Sequence, residues 1–212
     1  FSHEDSNRNR LYKQNTIRSE HQKQFDSIDQ FLCSLEMESE VGPVCDLYLP
    51  RFVQLINKSN QFHLTTTRYT EVQVQAMIDD DGRTLRYFRL KDRFGDNGLV
   101  SALIIEHQAE IFFIDTWVMS CRVLSRGMEE FICNEIIALA KCSHSTTVRG
   151  KYIPSKKNKL VSALYKRLGF TLVKEEPNGT AFWELNIKGQ LPKLNHTIKR
   201  AKGKTMAPDS SR

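Results

Sequence analysis

Cys121 is the residue whose type and position most directly suggest chemistry. It follows an apolar stretch, Ile111–Met119, and precedes a long segment of helical pattern that starts near Arg122. The unpaired N–H groups at a helix start, with Arg122 and Arg126 beside them, are expected to lower the pKa of this thiol and favour the thiolate. A thiolate there is a candidate nucleophile for a covalent acyl intermediate. A small buried core residue is the alternative, and the residues alone leave both interpretations open.

The turn from Arg122 to Gly127 is suited to an anion. Backbone N–H groups at a helix start bind anions, and the small residues Ser125 and Gly127 allow a phosphate to approach the backbone. The turn resembles the R/Q-x-x-G-x-G/A motif of the Gcn5-related acyltransferases (GNAT), which makes four residues candidates for binding a pyrophosphate or a phosphopantetheine phosphate: Arg122, Ser125, Arg126 and Gly127. Ser125 replaces a glycine of that motif, which is tolerated at negative φ but is costly in a left-handed conformation.

A second segment carries the same resemblance. Asn158 is followed by Tyr165-Lys-Arg-Leu-Gly169-Phe170, and this spacing resembles the asparagine and the Tyr-x-x-x-Gly-Phe helix of the GNAT proteins. The resemblance implies that Asn158 faces a pantetheine arm and that Tyr165 lies near the thioester sulfur as a proton donor. The two motifs occur in the expected order, separated by one predicted strand.

Other polar residues are further candidates. Asp115 interrupts an apolar strand and needs a partner if it is buried, either in an ion pair or as a catalytic base. His63 and His107 are interpreted as ordinary loop histidines, and no histidine and carboxylate spacing suggests a triad. The end of one predicted strand carries three candidates for facing a substrate, with a solvated turn as the alternative: Lys91, Asp92 and Arg93.

The pattern of apolar residues predicts an α/β domain with a GNAT-like mixed sheet flanked by helices, in the order ααβββαβαββ. Gly42-Pro43 is predicted to separate a helical segment, residues 1–43, from the acyltransferase-like domain at 44–187. Residues 188–212 are predicted to be a basic tail or linker with little structure. Helices are predicted near 50–59, 71–78, 122–141 and 158–168, and strands near 85–91, 98–106, 111–119, 146–153, 170–175 and 180–187.

The composition argues against several classes of function. Of 212 residues 40% are hydrophobic, and no apolar run approaches the ~18–20 residues of a membrane span. The net charge of +6 equals the six basic residues between Leu185 and Pro208, so the rest is formally neutral and no nucleic-acid-binding face is expected. Five cysteines without paired spacing suggest neither disulfides nor a metal site, and indicate a reducing, cytoplasmic location. Phe1 in place of methionine suggests a piece of a longer protein.

Four longer stretches carry a more specific resemblance: Lys58-Ser-Asn-Gln-Phe62 with the Thr-rich run to Tyr69, Arg89-Leu-Lys-Asp-Arg-Phe-Gly95, Phe112-Phe-Ile-Asp-Thr-Trp-Val-Met-Ser-Cys-Arg-Val-Leu-Ser-Arg-Gly127, and Lys151-Tyr-Ile-Pro154 with Asn158. They resemble the FkbH family, over nearly the whole span from Asp5 to Gly169. FkbH proteins combine a phosphatase-like domain of the haloacid dehalogenase (HAD) type with a GNAT-like domain. The stretches also make Asn60, Gln61 and Tyr152 candidates for facing a substrate.

The resemblance implies a glyceryltransferase. FkbH-type proteins take a three-carbon unit from 1,3-bisphosphoglycerate, remove phosphate and deliver a glyceryl thioester to an acyl carrier protein for polyketide assembly. Their glyceryl-S-enzyme intermediate makes Cys121, in its Ser-Cys-Arg context, the expected carrier. The DxDx(T/V) motif of the phosphatase half occurs nowhere in residues 1–212, so phosphate removal and its Mg²⁺ belong to that half.

The same resemblance implies the partners and cofactors. The partners are an acyl carrier protein, an upstream HAD-like phosphatase domain and a small acyl phosphate. No tightly bound cofactor is expected, only the phosphopantetheine arm of the carrier protein or coenzyme A. No nucleic acid or membrane is expected as a partner.

Two other functions stay open. An N-acetyltransferase that uses acetyl-CoA would need a base near the central strands, where the sequence offers no convincing glutamate or histidine. A non-catalytic module could instead hold a carrier protein. The neutral surface argues against strong steering of such an acidic partner, although four residues could form a local basic patch: Arg122, Arg126, Lys156 and Lys157.

Overall fold

A computed structural model describes residues 3–201, with only the helical backbone for residues 3–9, 11 and 12. These residues form an eight-stranded sheet with helices on both faces. The helices are α1 (His3–Gln22), α2 (Ile28–Ser34), α3 (Leu49–Lys58), α4 (Glu71–Ile78), α5 (Met128–Cys142) and α6 (Leu164–Arg167). The strands are β1 (Glu38–Pro43), β2 (Arg83–Asp92), β3 (Gly95–Gln108), β4 (Ile111–Met119), β5 (Thr147–Tyr152), β6 (Thr171–Glu175), β7 (Ala181–Asn186) and β8 (Lys199–Arg200). No helix in this part of the chain has the length and apolar character needed to cross a membrane.

The sheet is mixed, with the strand order β6-β7-β5-β4-β3-β2-β1-β8. The pairs β4–β5 and β1–β8 are parallel, and the remaining pairs are antiparallel. Alternation along β2 and β3 divides the core into two layers, because successive side chains of a strand point to opposite faces. Phe88 and Leu103 pack in the layer that holds α5, and Ile104 packs in the layer that holds α3 and α4.

The element order from α3 to β7 confirms the predicted ααβββαβαββ arrangement. Local signals explain the well-predicted boundaries. Thr70 caps α4 by accepting the N–H of Gln73, and the Gln73 side chain returns a bond to the Thr70 backbone, which fixes the start at Glu71. Pro50 lies in the first turn of α3, where its missing N–H leaves no helical bond unmade.

The sheet extends further towards the N-terminus than the predicted boundary at Gly42-Pro43. β1 pairs antiparallel with β2, with Val41 opposite Phe88. Leu35 and Met37 are fully buried in the same core layer as α5. Residue 43 therefore ends a strand of the domain, and residues 38–43 belong to its sheet rather than to a separate segment.

Residues 188–201 pack against the domain, contrary to the prediction of an unstructured tail. β8 adds to the edge of the sheet beside β1, and Ile198 is 4% exposed in the core. The Asn134 side chain donates to the Leu194 carbonyl at 3.2 Å, and Arg200 pairs with Glu135 at 3.0 Å. Residues 202–212 of the predicted tail lie outside the described residues.

Candidate functional site

A cleft of about 640 Å³ opens beside the end of β4. Three parts of the chain form its walls: α3 with the loop that follows it, the residues directly after β4, and the loop between β5 and α6. Cys121 lies in the wall formed by the residues directly after β4. The cleft is therefore where the predicted site residues are expected to meet.

Cys121 is exposed and is the first residue of a single 3₁₀ turn, Cys121–Val123. Ser120 caps this turn by accepting the Arg122 backbone N–H at 3.5 Å. The predicted position at the mouth of the long helix is wrong, because α5 begins only at Met128. The alternative of a small buried residue is also wrong, since the thiol is exposed in the wall of the cleft.

Four cationic side chains line the cleft together with this thiol. Arg51, Lys58, Lys156 and Lys157 line the cleft, and no carboxylate lines it within residues 3–201. Burial and the nearby Arg122 guanidinium lower the pKa of Arg51 below its ordinary value. The Nε atom of Arg122 is buried without a hydrogen-bond partner. The cleft therefore carries positive charge that the described part of the chain does not neutralise.

The start of α5, predicted to hold a phosphate, is occupied by the chain itself. Glu129 lies buried in the first helical turn, where burial raises its pKa and the backbone N–H groups of Ser125 and Glu129 oppose that rise. His196 covers the same turn, with its Cβ 3.3 Å from where a side chain on Gly127 would begin. Ser125 adopts a left-handed conformation with φ 60°. Ser125 and Gly127 therefore shape the turn, and the helix start already faces a carboxylate.

Asp92 is a buried carboxylate that ties elements together, contrary to its prediction as a substrate-facing residue. Arg18 donates to it through Nε at 2.6 Å and Nη2 at 3.0 Å, and the Phe94 N–H donates at 2.9 Å. Arg126 donates from Nη1 at 3.4 Å. Burial and the nearby Arg18 lower the pKa of Arg126 to about 10. Arg126 is thus engaged in this cluster and does not line the cleft.

Lys91 and Arg93, the two neighbours of Asp92, also lie outside the lining of the cleft. Lys91 forms an exposed ion pair with Glu38 at 3.1 Å. Arg93 donates to the Ser34 carbonyl at 3.2 Å. The solvated turn, the alternative interpretation of this strand end, describes Lys91 better than a substrate contact does.

Asn60 and Gln61 do line the cleft, next to Lys58. The Asn60 oxygen accepts a bond from Arg68 Nη2 at 2.9 Å, and its amide group donates to the Lys58 carbonyl at 3.5 Å. Gln61 is exposed. These two candidates are therefore brought together with Cys121, and their role towards a substrate stays a prediction.

Residues 62–64 fill a gap in the sheet next to the cleft. β4 and β5 pair only between residues 111–114 and 147–150, and then they separate. Three backbone hydrogen bonds hold the inserted segment between them: Met119 N–H to Phe62 O (3.1 Å), Leu64 N–H to Trp117 O (3.4 Å) and Ile153 N–H to Leu64 O (2.8 Å). The separating strands thus find their partners within the chain.

Asn158 holds this inserted segment in place. Its amide group donates to the carbonyls of His63 and Ile153, both at 2.9 Å, and its oxygen accepts the Ser155 N–H at 2.7 Å. The Tyr152 hydroxyl donates to the same oxygen at 3.4 Å. Because Asn158 is fully buried and its bonds are used, its predicted contact with a pantetheine arm is wrong. Tyr152 shares this internal role.

Tyr165 is a core residue, contrary to its prediction as a proton donor near the sulfur. Its side chain is 1% exposed and lies against Gly150, where an added Cβ would meet the ring at 2.2 Å. Burial and the nearby Cys133 raise its pKa. Tyr165 does not line the cleft, so its motif-like spacing reflects packing of α6 beneath β5.

Asp115 and His63 each have partners of another kind than predicted. Asp115 accepts hydroxyl bonds from Tyr69 at 2.8 Å and Thr116 at 2.9 Å, and forms no ion pair with the described residues. Burial and Asp115 together raise the pKa of Tyr69. His63 lies in a loop, as predicted, but it is fully buried rather than at the surface. Neither residue lines the cleft, and the predicted role of Asp115 as a base stays a prediction.

Arg51 and Lys58 are charged residues of the cleft that the sequence interpretation does not name as site candidates. Arg51 lies on α3 seven positions before Lys58, so both side chains project from the same face of that helix. The pattern of apolar residues in α3 was sufficient to define the opposite, polar face. The sequence therefore shows that α3 has a polar face, but only the structure shows that this face lies in the same cleft as Cys121.

Comparisons with known proteins identify the fold. No protein-family model matches the chain, and neither does any curated protein. Among solved structures, the ribosomal-protein-S18-alanine N-acetyltransferase from Escherichia coli superposes with a TM-score of 0.54 at 12% identity, over 74% of this chain and 99% of that one. The GNAT domain of S. lividans PAT superposes with a TM-score of 0.54 at 13% identity, over 69% of this chain and 89% of that one. The chain has the GNAT fold.

A third GNAT-fold structure, aminoglycoside acetyltransferase AAC(6')-Ib in complex with coenzyme A, matches with a TM-score of 0.51 at 15% identity, over 70% of this chain and 95% of that one. Similarity at this level establishes the architecture, and the function must be argued from the site. Within this GNAT fold, the exposed thiol of Cys121 lies in the wall of an open cleft.

Proposed function

We propose that this chain is an acyltransferase in which Cys121 carries the acyl group as a thioester. The observation that carries the proposal is an exposed thiol at the end of the central strand β4, in the wall of a cleft of about 640 Å³. Cationic side chains line the same cleft, and a cysteine thiolate is a strong nucleophile towards an acyl carbon. The fold and this geometry together support acyl transfer.

The chemistry proceeds in two displacements at one carbonyl carbon. In the first, Cys121 Sγ attacks the carbonyl of an acyl phosphate, a C–S bond forms, and phosphate leaves with the electron pair of the broken C–O bond. In the second, the thiolate of an acceptor attacks the same carbon, and Cys121 Sγ leaves with the electron pair of its C–S bond. Splitting the transfer in this way replaces one difficult step by two easier ones.

The finer assignment follows from the FkbH resemblance. The acyl group is then a glyceryl unit derived from 1,3-bisphosphoglycerate, and the acceptor is the phosphopantetheine thiol of an acyl carrier protein. A HAD-like phosphatase domain supplies the dephosphorylation that this chain lacks the motif for. The cleft suits such an acceptor, because Cys121 is exposed in its wall and no carboxylate among the described residues lines it to repel a phosphate.

An N-acetyltransferase that uses acetyl-CoA is the second candidate, favoured by the acetyltransferases that share the fold. Two contacts that the GNAT resemblance assigns to a pantetheine arm are absent among the described residues, which applies equally to coenzyme A and to the arm of a carrier protein. Asn158, which the GNAT resemblance assigns to pantetheine, is bonded to the inserted segment at His63 and Ile153. The start of α5, which the resemblance assigns to phosphate, faces Glu129. A carrier-protein docking module without chemistry is the third candidate, and it leaves the exposed thiol unused.

The test is capture of the acyl group. The chain is incubated with 1,3-bisphosphoglycerate, or with acetyl phosphate as a minimal acyl phosphate, and analysed by intact-protein mass spectrometry. We expect a single acyl adduct that neutral hydroxylamine removes, as it removes thioesters, and that peptide mapping assigns to Cys121.

Matched variants separate the candidates. Cys121→Ala should abolish the adduct, whereas Cys45→Ala, which removes another exposed cysteine, should leave it. An adduct that persists in Cys121→Ala contradicts the proposal. Turnover of an amine with acetyl-CoA by the Cys121→Ala variant would establish the N-acetyltransferase instead.

A further inference from the structure

The cleft holds positive charges that lack partners. Arg51 lines the cleft and, among the described residues, bonds only to the Gln54 side chain. Arg122 directly follows the cleft residue Cys121 without itself lining the cleft, and it forms no ion pair with residues 3–201. The two guanidinium groups lie close enough for Arg122 to lower the pKa of Arg51. Holding two like charges together in a partly buried site is unfavourable unless an anion neutralises them.

Three other arginines near this site each have a carboxylate partner. Arg18 and Arg126 share the buried Asp92, and Arg167 pairs with Glu130 at 2.6 Å at the start of α5. Arg51 and Arg122 differ from them because neither forms an ion pair with residues 3–201. Lys58, Lys156 and Lys157 add exposed charges around the same opening.

We propose that Arg51 and Arg122 form a binding site for a phosphoryl group beside Cys121, with the three lysines of the cleft around it. Planar guanidinium groups match a phosphate through paired hydrogen bonds, which a lysine cannot provide. This proposal rests on the proposed function for the identity of the ligand, and it names the anchor that holds an acyl donor or acceptor while Cys121 reacts. The anchored group is either the phosphate of a small acyl donor or the phosphate of a pantetheine arm.

The test uses the thiol as a reporter of local charge. The rates of alkylation by iodoacetate, an anion, and by iodoacetamide, which is neutral, are measured for each cysteine peptide by mass spectrometry. Cys33, Cys45 and Cys142 are exposed and provide internal references within the same molecule. The iodoacetate-to-iodoacetamide ratio should be highest at Cys121. It should fall by about twofold to fivefold in Arg51→Gln, as expected for removing one charge several ångströms away in water.

Two variants control this measurement. Arg51→Lys keeps the charge, so it should preserve most of the ratio but lose the phosphate affinity that depends on the planar group. Lys174→Gln removes an exposed cation on β6, far along the sheet order from β4, and should leave the ratio unchanged. Circular dichroism verifies that each variant is folded. A ratio at Cys121 equal to that of the reference cysteines, or unchanged in Arg51→Gln, overturns the proposal.

The source of the phosphoryl group is read from protection against alkylation at constant ionic strength. Protection by inorganic phosphate that Arg51→Gln abolishes supports a small donor, and protection by 4′-phosphopantetheine but not by pantetheine supports the arm. No protection by either overturns the site. Because alkylation needs no acyl transfer, loss of this result and loss of the Cys121 acyl adduct are independent outcomes.

Discussion

His63 illustrates how single residues support the site without reacting. Its Nε2–H donates to the Thr67 carbonyl at 2.9 Å, and its Nδ1 accepts the Thr66 N–H at 3.1 Å, with the tautomer assigned from these partners. Burial and the neighbouring Arg68 lower its pKa to about 4. The neutral imidazole therefore braces the loop that inserts between β4 and β5.

This buried histidine predicts a pH dependence of stability. The pKa in the folded state lies below the ~6.5 of an unfolded chain, so the folded state resists protonation. The stabilising contribution of His63 to the free energy of unfolding is therefore complete above pH ~6.5. As the pH falls to about 4, the unfolded state gains a proton on this residue that the folded state does not. The free energy of unfolding should fall by about 3 kcal/mol from this group across that window.

Urea unfolding at a series of pH values measures this loss. His63→Asn should show a shallower decline between pH 6.5 and 4 than the unchanged chain, even if it is less stable throughout. His144→Asn is the matched control, because His144 is exposed and its positive φ of 56° suits asparagine. Equal slopes for the unchanged chain and His63→Asn would refute the role of His63.

Residue type and position identified Cys121 for the cleft, and the FkbH resemblance identified Asn60 and Gln61. The GNAT resemblance misassigned Asn158 and Tyr165. A thiol directly after an apolar strand lies where the strand leaves the sheet, and strand ends reach the surface. An asparagine or a tyrosine serves equally well inside the protein, and the partners that decide this are distant in sequence. The His63 carbonyl, which Asn158 binds, lies 95 positions away along the chain.

At the scale of elements, the Asp92 cluster joins three segments: α1 through Arg18, the end of β2 through Asp92 itself, and the turn before α5 through Arg126. The carboxylate is fully buried, and the two guanidinium groups are 4% and 13% exposed. The turn that it anchors runs from Cys121 to Gly127. The cluster therefore positions the segment that carries Cys121 relative to the sheet.

Asp92→Asn is predicted to destabilise the fold strongly. It leaves two buried guanidinium groups without their counterion, which typically costs about 3–5 kcal/mol. Chemical denaturation gives the free energy of unfolding. Asp46→Asn, which changes an exposed carboxylate, should alter that free energy by less than about 0.5 kcal/mol. A loss below about 1 kcal/mol in Asp92→Asn would show that the cluster does not anchor these segments.

Element boundaries were predictable where a local signal exists. α4 begins where Thr70 and Gln73 cap it. α5 begins later than predicted because Ser125 and Gly127 both adopt left-handed conformations, with φ of 60° and 82°. A serine in the sequence does not predict a left-handed backbone conformation, because a residue with a Cβ adopts it rarely and needs tertiary contacts to hold it there.

At the scale of the whole molecule, the C-terminal segment closes the core. Residues 188–201 pass over the start of α5, where His196 packs on Phe131 with ring centroids 5.2 Å apart, and end in β8 at the sheet edge. Composition predicted a solvated tail here, because the segment is basic and lacks periodicity. An irregular segment that buries isolated side chains such as Ile198 shows no helical or strand periodicity in its sequence.

Ile198→Ala tests whether this segment contributes to stability. Ile198 is 4% exposed in the core layer of α5, so truncation should cost about 2–4 kcal/mol from lost burial and the cavity left behind. Thermal and urea unfolding measure the change. Lys193→Ala, a change in the same segment at a residue outside the core clusters, is the control and should have little effect. Equal stability of the two variants would mean that the segment adds nothing to the core.

The role of Cys121 as acyl carrier is tested most directly by a single-turnover chase. The acylated chain is freed of donor and mixed with an acyl carrier protein that bears its phosphopantetheine arm, and both proteins are followed by mass spectrometry. The proposal predicts that the adduct leaves Cys121 at the rate at which it appears on the carrier protein. An adduct that stays on Cys121 while the carrier protein is acylated, or full carrier acylation by Cys121→Ala, would contradict it.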